Sequence, residues 1–181
     1  MIYVFLADGF EEIEAITPID ILRRAELEVV TVAVGTPNLT VTGSHGITVI
    51  ADIMQEKVST DQLEMVILPG GMPGTLNLKS SNIVRSVLEH CRQYGVYIGA
   101  ICAAPSVLGC WNMLDGVTAT CFDGFEKDLI GAQYSPLHVC CDQKIVTARG
   151  AGVAVEFAFK LAELLCGTEK TNFIRKSMQC Q

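Results

Sequence analysis

The sequence predicts an α/β fold in which a mainly parallel, doubly wound sheet is covered by helices on both faces. Three observations point to it: short apolar runs recur, helical stretches separate them, and turns rich in Gly and Pro bound them. With 181 residues, half of them apolar, the chain can bury a sizeable core. No repeat or Pro/Ser-rich linker divides it, so we expect one domain over residues 1–181.

The predicted elements alternate along the chain. Apolar, β-branched runs predict strands at residues 2–7, 28–34, 46–50, 64–68, 96–100, 117–120 and 144–148. Helical spacing predicts helices at 11–26, 81–94, 103–110, 153–165 and 169–178. Pro18 interrupts the first helix, so it either kinks that helix or starts a new one with Thr17 as the N-cap. Ser81 is expected to cap its helix, and Gly167 to close the helix before it.

Charge and cysteine content exclude several kinds of partner. Thirteen Lys and Arg against 20 Asp and Glu give a net charge of −7, which argues against binding nucleic acid or an anionic membrane. Residues 94–114 carry no charge, but their Gly and Pro residues predict a strand, a turn and a helix rather than a membrane span. Eight cysteines in so large a domain predict free thiols and a cytoplasmic location.

Three polar or glycine-rich segments follow predicted strands, at residues 8–14, 70–74 and 99–105. The carboxyl ends of parallel strands meet at one edge of a sheet, and ligands bind there. We therefore expect these segments to form one crevice.

Cys102 follows a predicted strand within the segment Gly-Ala-Ile-Cys-Ala-Ala-Pro. Strand, tight turn of small residues and helix together are typical of a nucleophile elbow with a strained backbone. The helix start is expected to favour the thiolate and lower the pKa of Cys102. A buried structural cysteine is the alternative, and the local sequence does not separate the two.

Two further parts of a reactive site are present near it in the predicted fold. Gly70 and Gly71 can offer two backbone N–H groups to a developing anion, although glycine also suits a plain turn. Glu11 and Glu14 share one helix face and Glu12 points elsewhere, so only one glutamate is expected beside the thiol. The alternative is that all three are solvated acids at a helix N-terminus.

Other chemistries lack their motifs. The three histidines, His45, His90 and His138, form no His-x-Glu pair after Cys102, which excludes an amidotransferase triad. No Cys-x-x-Cys spacing, phosphate loop or GxGxxG occurs, so we expect neither a metal nor a cofactor. The other seven cysteines are expected to pack as small apolar side chains, with Cys180 the most exposed of them.

Four segments resemble the ThiJ/PfpI superfamily, and within it the DJ-type subgroup of the Parkinson-disease deglycase and the bacterial ThiJ proteins. They are ADGFEEIE (residues 7–14), LPGGMPG (68–74), GAICAAP (99–105) and TARGAG (147–152) with Glu156-Phe157-Ala158. The resemblance spans nearly the whole chain in the same order. It implies a flavodoxin-like sandwich that forms a homodimer and needs no cofactor.

The resemblance also implies roles for individual residues. Cys102 would be the reactive, oxidation-sensitive thiol and Glu14 its protonated partner, while Gly70, Gly71 and Ala103 would line an anion pocket. Two positions depart from the family pattern. Phe122 stands where some members have a histidine near the thiol, and His45 where relatives often have an arginine near the dimer interface.

The function implied is a cofactor-independent glyoxalase or deglycase of oxidative and carbonyl stress defence, acting on small dicarbonyls or glycated groups. Phe122 weakens this expectation because it removes an imidazole proton carrier. The alternatives are a redox sensor, in which the same thiol is oxidised, and a chaperone-like protein, which no sequence feature selects.

Overall fold

A computed structural model describes residues 1–180. The strands are β1 (Ile2–Ala7), β2 (Val29–Val34), β3 (Thr40–Thr42), β4 (Thr48–Ile50), β5 (Ile53–Met54), β6 (Met65–Leu68), β7 (Tyr97–Ile101), β8 (Thr118–Ala119), β9 (Gln133–Tyr134), β10 (Val139–Asp142) and β11 (Ile145–Ala148). The helices are α1 (Glu12–Arg24), α2 (Gly74–Ser80), α3 (Asn82–Tyr94), α4 (Pro105–Cys110) and α5 (Ala154–Ser177).

Seven strands form the central sheet in the order β10-β11-β7-β6-β1-β2-β5. All neighbours in it are parallel except β10, which runs antiparallel to β11 at one edge. This confirms the predicted flavodoxin-like α/β class. The four strands β11, β7, β6 and β1 are consecutive neighbours, so the loops that follow them lie side by side.

Apolar side chains fill both faces of the sheet, as its nearly continuous apolar strands predict. Every residue of β1 is buried. Alternate β1 residues, such as Leu6, join a core with Phe157 of α5 and residues of α1. The intervening residues, such as Phe5, join a second core with Leu88 of α3 and residues of α4. The helices therefore cover the sheet in two layers.

The proline and glycine predictions had different outcomes. Helix α1 runs from Glu12 to Arg24 with Pro18 buried inside it, so the interpretation that Pro18 starts a new helix is wrong. The Ser81 side chain accepts a hydrogen bond from the Val84 N–H, which confirms the predicted cap. Gly167 has φ 79° and ψ 167° and breaks α5 into the two helices that the sequence predicts.

Most differences between the predicted and the observed elements concern short or polar segments. The run at 46–50 yields β4, which pairs with β3 in an antiparallel hairpin outside the sheet. The run at 117–120 yields only β8, which pairs with β9. Helix α2 and the two-residue strands β5 and β9 are not predicted, because such short segments show no clear apolar period.

The uncharged stretch 94–114 is not a membrane span. It contains the end of α3, strand β7, a turn and helix α4. Within the described part of the chain, no helix combines the length and the apolar character needed to cross a bilayer.

Candidate active site

Cys102 occupies the turn directly after β7 with φ 64°, a backbone conformation that non-glycine residues rarely adopt. Its N–H donates to the Ala148 carbonyl at 2.8 Å, and its carbonyl accepts from the Phe122 N–H at 2.9 Å. The turn is thus held between β11 and the loop after β8, with the thiol partly exposed. The strained elbow predicted from the small neighbours is present.

Glu14 lies in the first turn of α1 with only 1% of its surface exposed. Its Oε2 accepts the Gly70 N–H at 2.9 Å, and the carboxyl lies close enough to Cys102 for the two groups to shift each other's pKa. Its Oε1 is buried and has no hydrogen-bond partner among residues 1–180. Of the three glutamates that follow β1, Glu14 is the one beside the thiol, whereas Glu12 is buried under the β3–β4 hairpin.

The Glu14 carboxyl and the Cys102 thiol shift each other's pKa. Burial raises the pKa of Glu14 to about 7, although hydrogen bonds from Cys102 and Gly70 oppose the rise. Burial, followed by the nearby charge of Glu14, raises the pKa of Cys102 to about 12. The expected lowering of the Cys102 pKa by a helix start is wrong in direction, because burial and the charge of Glu14 raise it. The resting site holds a thiol beside a carboxyl that titrates near neutrality.

Two backbone amides lie near the sulfur. The N–H groups of Gly71 and Ala103 oppose the rise in the pKa of Cys102. Within residues 1–180, neither amide has an oxygen acceptor. The third amide expected in the anion pocket is not available, because the Gly70 N–H is bound to Glu14. Gly70 therefore positions the carboxyl instead of binding an anion.

Glycine is required at both loop positions by close approaches. A Cβ on Gly70 would lie 2.7 Å from the Cβ of Cys102 and 2.7 Å from Oε2 of Glu14. A Cβ on Gly71, which has φ 87°, would lie 2.4 Å from the Glu11 nitrogen. The loop after β6 is therefore packed tightly between the loops after β1 and β7.

A cavity of about 320 Å³ opens next to the site, and Phe122, Arg149 and residues 150–153 line it. Phe122 is half exposed, and Arg149 pairs with Asp123 at the rim. Gly150 joins the cavity to the site, since a Cβ there would lie 3.2 Å from the Phe122 ring and 3.9 Å from Oε1 of Glu14. The residue types alone do not mark Gly150 as part of the site, and only its place in the family motif does.

The prediction that the other cysteines are packed holds for most of them, and Cys91, Cys121 and Cys140 are buried. All eight are free thiols, and Cys110 and Cys141 are exposed. Cys180 is only partly exposed and packs against the core, so it is not the most exposed of the seven. Cys140 is buried and Cys141 exposed, because neighbours on a strand face opposite sides.

The fold and the site define the class of protein: it is a flavodoxin-like α/β protein that carries a strained cysteine at a strand-to-helix turn. The sequence profile of the DJ-1/PfpI family matches residues 1–164. Protein dj-1beta of Drosophila melanogaster is 36% identical over 178 residues, which cover 97% of this chain and 94% of that protein. The chain belongs to the DJ-1/PfpI family.

Two other relatives are similar over most of their length. A Caenorhabditis elegans protein named glutathione-independent glyoxalase DJR-1.2 is 32% identical over 173 residues, covering 93% of this chain and 89% of that protein. The solved structure of an oxidized DJ-1 from Toxoplasma gondii superposes with a TM-score of 0.94 at 34% identity, covering 99% of this chain and 97% of that one.

Proposed function

We propose that the protein is a cysteine-dependent glyoxalase or deglycase-type enzyme that acts on small dicarbonyls or on glycated groups without a cofactor. The observation that carries the proposal is the strained Cys102 thiol, which lies beside the buried Glu14 carboxyl and near two backbone amides that have no oxygen acceptor within residues 1–180. The relative named as a glutathione-independent glyoxalase supports it.

In the first step, the Glu14 carboxylate takes the thiol proton as the Cys102 sulfur adds to the aldehyde carbon of a 1,2-dicarbonyl. The C=O electron pair moves to the oxygen, and the N–H groups of Gly71 and Ala103 stabilise the resulting oxyanion. Proton return from Glu14 gives a hemithioacetal. The raised pKa of Cys102 makes this base necessary, and the Glu14 pKa of about 7 suits it to the task.

In the second step, Glu14 removes the proton from the former aldehyde carbon, and an enediol forms. Return of that proton to the neighbouring carbon gives a 2-hydroxyacyl thioester. Water then cleaves the thioester, releasing the hydroxy acid and the thiol. One dicarbonyl and one water yield one hydroxy acid, so no external oxidant or reductant takes part.

Redox sensing is the second candidate, and the same two amides favour it. One peroxide converts the thiol to a sulfenic acid and water, and a second peroxide gives the sulfinic acid. The N–H groups of Gly71 and Ala103 can donate to the added oxygens, and the protonated Glu14 can donate as well. The solved Toxoplasma gondii relative is an oxidized form.

We also propose that the protein forms homodimers in the cytoplasm. Exposed isoleucines lie on α1 (Ile13 and Ile16) and on the adjoining β3–β4 hairpin (Ile47 and Ile50), and a second copy would cover them. Eight free thiols support a reducing compartment.

The experiment compares the purified wild type with Cys102→Ser, and uses Cys110→Ser as a control that removes an exposed thiol elsewhere. We expect Cys102→Ser to abolish methylglyoxal consumption and Cys110→Ser to retain it. Unchanged consumption in Cys102→Ser contradicts the enzyme proposal. Intact mass after peroxide treatment decides for sensing if two oxygens add at Cys102 while the wild type shows negligible dicarbonyl turnover.

A further inference from the structure

A second cluster of titratable side chains lies apart from the thiol, where the start of α1 meets the tip of the β3–β4 hairpin. His45 Nδ1 is 2.8 Å from Oε2 of Glu12 and 3.5 Å from Oε2 of Glu11. One potential ligand atom from each of the three lies within 4.8 Å of the others. Neither segment carries a metal motif in its own sequence, because the ligands come together only through the fold.

The hairpin holds the Glu12 carboxylate by its other oxygen. Oε1 accepts the backbone N–H of His45 at 2.8 Å and that of Ile47 at 3.4 Å. A Cβ on Gly43 would lie 2.4 Å from this oxygen, so the glycine leaves the space that the carboxylate fills. Fixing Oε1 in this way leaves Oε2 directed at the imidazole, and outer contacts of this kind orient metal ligands in proteins.

The distances from the Ser44 hydroxyl to the three candidate ligand atoms are close to those between atoms bound to one metal ion. Ser44 Oγ lies 3.3 Å from Oε2 of Glu11, 3.4 Å from Oε2 of Glu12 and 3.2 Å from Nδ1 of His45. A metal with bonds of about 2.1 Å separates its ligands by about 3.0 Å at right angles and about 3.4 Å at tetrahedral angles. The distances from Ser44 fit these separations, and the 2.8 Å hydrogen bond between Nδ1 of His45 and Oε2 of Glu12 has to lengthen slightly when both atoms bind one ion.

The charge of the cluster also calls for a cation. Glu12 is 7% exposed, and within residues 1–180 neither Glu11 nor Glu12 pairs with a Lys or Arg side chain. Within residues 1–180, the His45 imidazole is the only basic side chain paired with the two carboxylates, which leaves net negative charge in a half-buried position. Two carboxylate oxygens and one imidazole nitrogen suit first-row divalent ions, because the nitrogen ligand disfavours Mg²⁺ and Ca²⁺.

We propose that Glu11, Glu12 and His45 bind a divalent transition-metal ion such as Zn²⁺, through Oε2 of each carboxylate and Nδ1 of the imidazole. The Ser44 hydroxyl adjoins the fourth position. The bound ion clips the hairpin to the start of α1. This site is separate from Cys102 and does not depend on the proposed reaction.

The test titrates the chelator-treated protein with Zn²⁺ by calorimetry and with Co²⁺ by absorption spectroscopy. We expect about one ion per chain, and a dissociation constant at least about tenfold weaker in His45→Gln and in Glu12→Gln, since even outer contacts of a metal are worth 10- to 100-fold in affinity. His45 is an exposed turn residue, so His45→Gln is informative even if Glu12→Gln folds poorly.

Two controls separate this site from other ligands. His138→Gln removes a histidine that has a single glutamate partner, with Nδ1 3.4 Å from Oε2 of Glu156, and it should bind as the wild type does. Cys102→Ser should also bind normally, and the Co²⁺ spectrum should lack a thiolate charge-transfer band. Absence of wild-type binding, unchanged affinity in His45→Gln, an equal loss in His138→Gln, or a thiolate band would overturn the proposal.

Discussion

The backbone N–H of Gly70 donates to Oε2 of Glu14 at 2.9 Å, and this bond joins the loop after β6 to the helix after β1. The same glycine touches Cys102 on its other side, because a Cβ at residue 70 would lie 2.7 Å from the Cβ of Cys102. Gly70 therefore sets how closely the carboxyl and the thiol approach each other.

Gly70→Ala should damage both stability and reaction. The added methyl group overpacks the contact with Glu14 and Cys102, and we expect a loss of about 1–3 kcal/mol in the free energy of unfolding. Gly152→Ala is the matched control, because a Cβ there meets nothing within 4 Å. Chemical unfolding and methylglyoxal consumption measure the two effects. Equal stability in the two variants would contradict the close packing at residue 70.

Glu14→Gln should abolish the pH dependence of the reaction near neutrality. With a pKa of about 7, Glu14 gains its base form as the pH rises through 7, so the wild-type rate should rise there. Glutamine cannot accept the thiol proton, and we expect a rate at least about 100-fold lower with no such rise. Glu28→Gln, at an exposed position, should retain the wild-type profile. A profile unchanged in Glu14→Gln would exclude Glu14 as the base.

Glu14→Gln should increase the stability of the protein above neutral pH, although it lowers the activity. The pKa of Glu14 is raised from 4.5 to about 7 by folding, so the native state holds its proton more tightly than the unfolded chain. The stability that this proton contributes is present below pH 4.5 and is lost as the pH rises to 7. Glu14→Gln should therefore be more stable than the wild type at pH 8, by about 3 kcal/mol, with no such gain at pH 4. Urea unfolding at both values measures it, and an equal difference at both would contradict the burial effect.

Phe122→His should raise dicarbonyl turnover. The Phe122 ring lies at the cavity wall next to Gly150, which also approaches Oε1 of Glu14. An imidazole there adds a second proton carrier, and we expect kcat to rise about tenfold, below the usual range for such a group because its position is not optimised. Phe122→Ala enlarges the cavity without adding a proton carrier. A similar gain in turnover in both variants would mean that easier substrate access to the cavity, and not proton transfer by the imidazole, causes the effect.

Thiol labelling should follow exposure. Cys110 is exposed and should be alkylated in the native protein well before Cys91, whose pKa burial raises to about 12. Cys180 should label more slowly than Cys110 because it packs against the core. Peptide mass spectrometry after timed iodoacetamide treatment measures the order, and the unfolded protein, in which all eight should label, is the control. Labelling of Cys180 before Cys110 would contradict the packing of the C-terminal helix.

Local patterns predict the parts of this protein that depend on neighbouring residues in the chain. The buried strands, the Ser81 cap, the break at Gly167 and the strained turn at Cys102 all follow from short segments. Helical spacing and the strand-end rule predict that one of the three glutamates lies beside the thiol, and the family resemblance identifies it as Glu14.

Contacts between distant segments decide what local patterns miss. The Gly70 N–H binds Glu14 instead of an anion, because α1 places the carboxyl over the loop after β6. The thiol pKa rises because burial and Glu14 outweigh a short helix. Cys180 packs inward because the second half of α5 folds back on the core, and His45 meets Glu12 only because the hairpin covers α1.

The turn at Cys102 cannot be completed early in synthesis, because the Cys102 N–H donates to the carbonyl of Ala148, which enters the nascent chain later. Translation delivers Cys102 long before β11, and at about 5–20 residues per second the anchoring carbonyl follows some seconds later. Until then the thiol has a pKa near the ordinary value of about 8.5 and ionises more readily than in the finished fold. We therefore expect Cys102 to be alkylated more readily in the nascent chain than in the folded protein.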